Sequence, residues 1–359
     1  MKSSFSEKLY KNFKDKRILV TGHTGFKGAW MVQILLNLEC KILGVSKKIE
    51  TKPSLFNILN HKKKINHKII DLAENYNLAK KTIVKFNPQI IFHFAAQSLV
   101  LTGYNDQYKT FKNNILSTLN ILEISKEIKS LKSFVHISSD KVYSQKKITN
   151  KSETDELDAI DPYSLSKVNC EKIFKSYKNH YFLKKNIGAV SLRAGNVIGG
   201  GDWSKDRLIP DFIKSLNKKK ILLRNPNSIR PWQHVLDCLF GYLLISLKLQ
   251  NEPNKTSGYW NIGPKKSNIN VYKIVLLAKK KFKSKVNILR IKNKLKETKY
   301  LLLNSRKIRK ELGYYPLLTP IKTIDFTINW YQSFFNNKKQ LIELTNNQIN
   351  YFLKKLNYK

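Results

Sequence analysis

The sequence predicts an α/β fold in which helices cover both faces of a doubly wound parallel sheet. One observation is the apolar run Arg17–Val20, which leads into the glycine-rich segment Thr21–Gly28 and then into helical periodicity over 29–38. A second is the alternation of short apolar runs with longer amphipathic stretches, a pattern typical of parallel strands joined by crossover helices. Together they predict a Rossmann-type sheet in the N-terminal half.

The remaining elements follow the same pattern along the chain. Apolar runs predict further strands at 41–45, 68–70, 89–94, 133–137, 187–192, 220–224 and 260–262. Helical periodicity predicts helices at about 113–129, 163–181, 208–218 and 232–249, and amphipathic helices from Asn268 onward.

A glycine-rich stretch after Arg193 indicates where a second lobe begins. We expect residues 1–193, together with about 232–264, to form an NAD-binding Rossmann domain. Residues 194–231 and 265–359 are expected to form a smaller α/β substrate-binding lobe. Because the segments alternate, the two units interleave along the chain.

The composition argues against several classes of protein. No apolar run is long enough to span a bilayer and no secretory signal is evident, so we expect a cytoplasmic protein with no membrane partner. The three cysteines, Cys40, Cys170 and Cys238, lack metal-ligand spacing and are expected to be buried thiols, with no metal bound.

The net charge of +42 is spread over nearly the whole chain. Only 8 of the 67 basic residues are arginine, and no nucleic-acid motif accompanies them, so we expect no specific nucleic-acid partner. A basic nucleic-acid-binding protein is the least favoured alternative. Half of the arginines lie in one short segment, and arginine binds phosphate bidentately. They are Arg193, Arg207, Arg224 and Arg230.

The glycine-rich segment has the spacing G-x-x-G-x-x-G between a strand and a helix. Glycines there allow a tight turn and a close approach of backbone N–H groups to a pyrophosphate at the helix N-terminus. The expected cofactor-binding residues of this loop are Gly22, His23, Thr24, Gly25, Phe26, Lys27 and Gly28. Lys27 either adds a positive charge to the pyrophosphate site or is a solvated lysine.

Three more segments are expected to contact the cofactor. Asp71, followed by Leu72 at the end of the third strand, either accepts from the adenine amine or caps a helix. Small residues end the fourth strand, where backbone can pass close to a ligand: Phe94, Ala95, Ala96 and Gln97. Asn114 is expected to open the next helix, either as a cap or as a brace for the active-site strand. The second strand ends without the acidic residue that marks a ribose 2′-hydroxyl, so this strand leaves NAD and NADP open.

Tyr163 and Lys167 lie four residues apart, on one face of a helix. A lysine ammonium close to a phenol favours the phenolate, so we expect the tyrosine pKa to be lowered towards neutrality. Tyr163 is then the base that deprotonates a hydroxyl, and both side chains contact the cofactor.

A second chemistry is indicated where the fifth strand ends. Ser139 is placed to hydrogen-bond the hydroxyl being oxidised, and Asp140 to protonate a leaving hydroxyl. Lys141 either abstracts a carbon-bound proton, for which it must be neutral, or stabilises an enolate oxygen as a cation. The alternative for Asp140 and Lys141 is a surface salt bridge.

Seven strings extend these motifs over residues 21–235. They are TGHTGFKG (21–28), PSLF (53–56), SDK (139–141), DPYS (161–164), RAGNVIGGGDW (193–203), DRLIP (206–210) and SIRPWQHV (228–235). In these strings the chain resembles the CDP-glucose 4,6-dehydratases of the extended short-chain dehydrogenase/reductase group, which belongs to the NAD-dependent epimerase/dehydratase family. It departs from that family at Leu101, where an arginine is common.

The resemblance implies a lyase that uses an internal NAD hydride cycle. CDP-D-glucose would be oxidised at C4 with help from Tyr163 and Ser139, and Asp140 and Lys141 would expel water across C5 and C6. Return of the hydride to C6 gives CDP-4-dehydro-6-deoxy-D-glucose, a precursor of deoxysugars in surface polysaccharides such as the O-antigen of lipopolysaccharide.

The resemblance also assigns the sugar nucleotide to residues of the second lobe. These are Asn196, Arg207, Arg224, Arg230, His234 and Tyr300, with Arg230 as the pyrophosphate clamp and Tyr300 on the ribose. It implies a homodimer or homotetramer that pairs through helices near 116–124 and 168–177. The alternatives are a nucleotide-sugar 4-epimerase, which needs no acid at 140, and a dehydratase of another nucleotide sugar.

Overall fold

A seven-stranded parallel sheet forms the centre of the molecule, in the order β10-β6-β5-β4-β1-β2-β3. The computed structural model describes residues 4–146, 148–265, 269–291 and 300–356. The strands of the sheet are β1 (Arg17–Thr21), β2 (Lys41–Ser46), β3 (Asn66–Ile69), β4 (Ile90–His93), β5 (Ser133–Ile137), β6 (Gly188–Ala194) and β10 (Gly258–Ile262). The predicted doubly wound α/β class is confirmed.

Both faces of this sheet are buried, which explains why its strands are continuously apolar. In β1, Ile18 and Val20 join one hydrophobic cluster, whereas Leu19 between them joins another. Since successive side chains in a strand point to opposite faces, the two clusters are the two layers between sheet and helices.

Fifteen α-helices surround the sheet in the described part of the chain. They are α1 (Phe5–Phe13), α2 (Phe26–Asn37), α3 (Leu55–Ile58), α4 (Tyr76–Phe86), α5 (Val100–Asn105), α6 (Gln107–Phe111), α7 (Ser117–Ser125), α8 (Pro162–Tyr177), α9 (Leu208–Lys218), α10 (Val235–Asn251), α11 (Pro253–Thr256), α12 (Val271–Phe282), α13 (Arg306–Leu312), α14 (Pro320–Asn336) and α15 (Leu341–Lys355). None of them is long and apolar enough to cross a bilayer.

Two small parallel sheets belong to the segments that interrupt the main one. One pairs β8 (Lys220–Leu223) with β11 (Asn287–Arg290), and the other pairs β7 (Val197–Ile198) with β9 (Gln233–His234). Between them α10 returns to pack on β5 and β6. The expected division into two units, with boundaries at 193, 231 and 264, stays a prediction. The two ends of the chain, 1–3 and 357–359, lie outside the described residues. So does Asn268, where the C-terminal amphipathic helices were expected to begin.

Helix α15 packs on α1, α2 and α14. The side-chain amides of Gln33 and Asn37 in α2 both donate to Asn346 Oδ1 of α15, over 3.0 and 3.1 Å. Helix α15 also contacts α1, so the first and last helices of the chain meet.

The helix expected at 113–129 is shorter and begins differently. Lys112–Leu116 forms a π-helical turn that continues α6 into α7, which ends at Ser125. The prediction that Asn114 opens a helix was therefore wrong: the residue lies inside the π-turn. Such turns release backbone and side-chain groups from the regular ladder and are frequent at functional sites.

Candidate active site

The glycine-rich loop forms a cradle in which two positions have no room for a side chain. Gly22 has a φ of +70°, and a Cβ there would lie 2.8 Å from the Ala95 backbone nitrogen. A Cβ on Gly28 would lie 2.3 Å from the Gly22 carbonyl oxygen. The loop leads into α2 at Phe26, so free N–H groups and the helix dipole meet there, as a bound pyrophosphate requires.

Alanine at position 28 is expected to reduce NAD affinity by at least tenfold, because the new methyl group must displace the Gly22 carbonyl and open the cradle. Titration of the purified protein with NAD measures the change. Gly263→Ala is the matched control, since its Cβ meets only the Leu303 side chain, at 3.2 Å. Equal affinity of the Gly28→Ala variant and the wild type would contradict the cradle.

The side chain of His23 points away from the cradle and holds the loop on β2. Its Nδ1 is 2.9 Å from Ser46 Oγ and its Nε2 is 2.7 Å from His67 Nδ1. Burial lowers the pKa of His23 to about 3, so the ring is neutral. The Thr24 hydroxyl donates to the Lys48 carbonyl over 2.7 Å. Because both side chains already have partners within the protein, His23 and Thr24 would contact a cofactor through their backbone atoms.

Asp71 has two partners of its own at the end of β3. One carboxylate oxygen pairs with Lys47 at 2.7 Å, and the other accepts from the Ala73 backbone N–H at 3.0 Å. The contact with the Ala73 N–H stabilises a turn, which is similar to the helix cap considered as the alternative for Asp71. The contact with adenine stays a prediction. The carbonyl of the buried Leu72 accepts from Asn120 over 2.7 Å.

Asn114 braces the segment that follows β4. Its Oδ1 accepts from the Gln97 N–H at 2.7 Å and its Nδ2 donates to the Gln97 carbonyl at 3.1 Å. Its second amide hydrogen bonds Ser166 Oγ on α8, at 2.8 Å. The bracing alternative fits this geometry. It fixes the half-buried Phe94–Gln97 segment against the helix that carries Tyr163.

Tyr163 and Lys167 lie in the first two turns of α8, which Asp161 caps by accepting from the Ser164 N–H. Both side chains are buried, and Lys167 Nζ donates to the Ile137 carbonyl at the end of β5, over 2.8 Å. The helix therefore presents the pair to the carboxyl end of the sheet, where α/β folds bind their ligands.

The expected lowering of the tyrosine pKa is not found. Burial raises the pKa of Tyr163 to about 12, and the Ser139 hydroxyl beside it lowers it by less. Burial also lowers the pKa of Lys167. Desolvation therefore disfavours the charged form of both side chains.

Ser139, Asp140 and Lys141 follow β5 at the same edge. Ser139 Oγ lies 3.2 Å from Asp140 Oδ1, and the Lys141 N–H donates to Ser139 Oγ. The Asp140 side chain is 4% exposed, and its Oδ2 has no hydrogen-bond partner among the described residues. Burial raises the pKa of Asp140 to about 6, against the opposing charges of Lys141, Arg230 and Lys27. A buried carboxyl with one free oxygen and a raised pKa is suited to proton donation and is not a surface salt bridge.

Lys27 faces the catalytic groups rather than open solvent. Burial lowers the pKa of its ammonium group, which is close enough to Cys238 and Asp140 for their charges to raise it. The pyrophosphate contact stays a prediction. Lys27 lies in the first turn of α2, so the position of its side chain depends on the glycine-rich loop that leads into this helix.

The arginines expected to hold the sugar nucleotide have different surroundings. Arg207 bridges two loops, pairing with Asp202 at 3.0 Å and donating to Ser98 Oγ at 2.8 Å. Arg230 donates to the Ile229 carbonyl and lies near Asp140, whose pKa its charge lowers.

The other expected substrate residues lie farther along the same lobe. Arg224 is 3.5 Å from Asp206. Tyr300 is half-buried and bridges to Ile229 beside Arg230. Asn196 is half-buried, and its carbonyl accepts from the Gln233 N–H.

His234 is not placed for the substrate contact that the resemblance implied. Its side chain is fully buried among aromatic rings, stacked on Phe352 at 6.3 Å and edge-on to Phe326 and Trp30. Its Nδ1 accepts from the Leu236 N–H, so the residue caps α10. The histidine sits behind the site because the apolar helices α14 and α15 cover it.

A buried ion pair behind the site was missed in the sequence. Arg193, grouped there with the phosphate-binding arginines, instead donates from Nε to Glu171 over 2.9 and 3.1 Å. Its guanidinium lies between the rings of Tyr143 and Tyr259, 4.9 and 4.7 Å from their centroids. The spacing in the sequence could have indicated Glu171, because it lies four residues after Lys167 and eight after Tyr163, on the same face of the helix.

Removal of hydride and removal of water from one sugar require an acid, a base and a dinucleotide at a single edge of the sheet. Short-chain dehydrogenase/reductases of the extended type provide this arrangement, and no group of three or more metal-ligating side chains accompanies it in the described residues. The sequence model of the family described as GDP-mannose 4,6 dehydratase matches residues 19–324, and the chain belongs to that family.

A curated relative agrees with the resemblance found in the motifs. The chain is 35% identical over 342 residues to CDP-glucose 4,6-dehydratase of Salmonella typhimurium, covering 92% of this chain and 95% of that protein. The expected resemblance to the CDP-glucose 4,6-dehydratases is confirmed.

Solved structures agree on the fold. The dTDP-glucose 4,6-dehydratase of Bacillus anthracis, solved in complex with NAD, is 24% identical, with a TM-score of 0.74 over 92% of this chain and 99% of that one. The UDP-glucose 4-epimerase of Thermotoga maritima, solved with UDP-glucose, is 19% identical, with a TM-score of 0.78 over 89% and 100%. Dehydratases and epimerases share this fold, so the site has to distinguish them.

Proposed function

We propose that this protein converts CDP-D-glucose to CDP-4-dehydro-6-deoxy-D-glucose with NAD as a cofactor that is regenerated in each turnover. The observation that carries the proposal is Asp140, a buried carboxyl with one free oxygen beside the Tyr163–Ser139 pair. The reaction takes place in the cytoplasm and supplies deoxysugars for surface polysaccharides such as lipopolysaccharide O-antigen.

The cradle around Gly22 and Gly28 fits a dinucleotide, because a Cβ at either glycine would fill the space that a pyrophosphate needs. The loop from Gly22 to Gly28 would hold NAD, and the cofactor would supply hydride acceptance at C4 of the sugar and hydride return at C6. The family membership and the NAD complex of the dehydratase from Bacillus anthracis support this choice of cofactor.

Oxidation at C4 requires a base for the hydroxyl proton. Tyr163 takes that proton as its phenolate becomes a phenol, Ser139 holds the hydroxyl oxygen, and the buried Lys167 ammonium stabilises the phenolate before the transfer. Because burial raises the pKa of Tyr163 to about 12, formation of the phenolate depends on the positive charge of Lys167 on the next turn of α8.

Elimination follows once C4 is a ketone, which acidifies the hydrogen on C5. Removal of that proton breaks the C5–H bond, and its electron pair forms the C5–C6 double bond as the C6 oxygen leaves. Asp140 donates the proton with which this oxygen departs as water. Lys141, half-buried beside Asp140, serves as the base at C5 or as the cation that stabilises the enolate oxygen.

A 4-epimerase is disfavoured by the same carboxyl. Epimerisation moves hydride to and from C4 and needs no acid at C6. A buried aspartic acid with an unpaired oxygen destabilises the fold, so its presence next to Tyr163 favours elimination.

The nucleotide half of the substrate is assigned to the smaller lobe. Arg230, near Asp140, would hold the diphosphate together with Arg207, which donates to Ser98 Oγ. Asn196, Arg224 and Tyr300 stay predicted contacts. Cytidine as the base is supported by the relative from Salmonella typhimurium. Copies of the chain would pair through α7 and α8.

The purified protein is expected to convert CDP-glucose to a 4-keto-6-deoxy product without any added reductant. Parallel incubations contain UDP-glucose and dTDP-glucose, and mass spectrometry records the loss of one water while alkaline absorbance records the keto group. Product formed only from CDP-glucose would support both the dehydration and the choice of cytosine as the nucleobase of the substrate.

Two outcomes would contradict the proposal. Product from UDP-glucose or dTDP-glucose in preference to CDP-glucose would overturn the assignment of the base. Conversion of a sugar nucleotide to its 4-epimer with no loss of water would overturn the dehydratase assignment and support the epimerase.

A further inference from the structure

Tyr242 carries a buried hydroxyl to which neither the sequence motifs nor the reaction gives a role. The residue lies in the middle of α10, which packs between α2 and the strands β5 and β6. Its side chain is fully buried, and its hydroxyl makes no hydrogen bond that meets normal geometry within the described residues. A polar group in reach is the Cys238 thiol, one turn earlier, which is a weak partner.

The surroundings of Tyr242 place its hydroxyl at the wall of the active site. Its ring lies 6.1 Å from that of Phe94, at the end of β4. Phe94 leads directly to Ala95, which closes on Gly22 of the dinucleotide cradle. The hydroxyl is also close enough to Tyr163 and Asp140 to interact with their charges, which add to the effect of burial in raising its pKa. Tyr242 therefore lies near both the strand end that closes on the cradle and the catalytic tyrosine.

A buried hydroxyl without a partner is unfavourable, whereas phenylalanine has the same shape and needs none. A bound ligand that supplies the missing partner would account for the tyrosine. The cradle holds the pyrophosphate at one end and Tyr163 meets the reacting carbon at the other. The ligand portion that spans this interval is the nicotinamide end of the dinucleotide.

We propose that the Tyr242 hydroxyl hydrogen-bonds the carboxamide of the NAD nicotinamide, which makes it a further cofactor-binding residue. This inference rests on the proposed use of NAD. A carboxamide offers both a donor and an acceptor, so it satisfies a hydroxyl in either orientation. The bond would also fix the rotation of the nicotinamide ring relative to the sugar.

The test compares two ligands in the Tyr242→Phe variant of the full chain freed of bound nucleotide. NAD and ADP-ribose share the adenosine and diphosphate, but ADP-ribose lacks nicotinamide. We expect the dissociation constant for NAD to rise roughly three- to tenfold, as for the loss of one hydrogen bond, and that for ADP-ribose to stay unchanged. The melting temperature of the ligand-free variant should equal or exceed that of the wild type.

The matched control is Tyr314→Phe. The Tyr314 hydroxyl donates to the Asp237 carbonyl of the same helix, over 2.6 Å. This variant is expected to lose thermal stability and to keep the wild-type affinity for both ligands. It shows the effect of removing a tyrosine hydroxyl that bonds the backbone of α10.

Three results would overturn the inference. These are unchanged NAD affinity with a lower melting temperature, an equal loss of affinity for NAD and ADP-ribose, and a higher KM for the sugar nucleotide with unchanged NAD affinity. Failure of the proposed function has a separate signature, since a wild type that binds NAD but converts no CDP-glucose leaves this binding test intact.

Discussion

Replacing Asp140 by asparagine is expected to lower the rate of water loss from CDP-glucose by about 10²–10⁴-fold. Asparagine keeps the size and shape of the side chain but cannot donate the acid proton to the leaving C6 oxygen. Steady-state measurement of kcat on the purified variant gives the size of the loss. An epimerase would lose little, so full activity of Asp140→Asn would exclude the elimination role.

The same substitution is expected to raise the free energy of unfolding at alkaline pH. A loss of activity in a more stable variant could not then be attributed to misfolding. Because the pKa of Asp140 is raised to about 6 from 3.8, the folded wild type binds more protons than the unfolded chain between these values. Its stability therefore falls as pH rises through about 4 to 6, by about 3 kcal/mol. Asparagine does not titrate. Unfolding by urea should thus favour the variant at pH 8, with the difference shrinking towards pH 4.

Replacing Arg193 by methionine is expected to reduce the free energy of unfolding by about 3–5 kcal/mol. Both members of the pair are almost completely buried, at 2% and 1% exposure, so the change leaves the Glu171 carboxylate charged without a partner. The guanidinium also donates to the Tyr143 hydroxyl, which in turn bonds Asn261 of β10. Urea unfolding at neutral pH measures the loss.

The double variant Arg193→Met/Glu171→Leu is the control for this experiment. With both charges removed, the desolvation penalty disappears together with the attraction, and much of the lost stability should return. A double variant as unstable as the single one would show that packing of the arginine stem, and not the unpaired carboxylate, determines the loss.

The parts of the site that the sequence predicts are those in which spacing alone determines the geometry. Glycines between a strand and a helix must form a tight loop, so the cradle at Gly22 and Gly28 could be located from the letters. Tyr163 and Lys167 share a helix face because their separation is four residues. The parallel sheet with helices on both faces follows from the alternation of strands and helices.

Partnerships across the fold were not predictable, because they depend on which side chains meet after packing. Glu171 resembles a solvated acid in a lysine-rich helix until Arg193 is seen against it. Tyr242 lies in a helix that is buried on almost every side, so the hydrophobic periodicity does not show which way its side chain points. His234 belongs to a string expected to bind substrate, yet α14 and α15 enclose its ring. The pKa of Tyr163 depends on how completely the residue is desolvated, which spacing does not encode.

The contact of α2 with α15 has a consequence for the way the chain is synthesised. Gln33 and Asn37 are synthesised more than 300 residues before Asn346, so the nascent chain cannot complete this surface of α2 until α15 has emerged from the ribosome. Packing between such distant segments slows folding and prolongs the exposure of apolar surface. Translation that stops before the last helix would therefore release a chain that aggregates, even though every residue of the cradle and the catalytic edge had already been made.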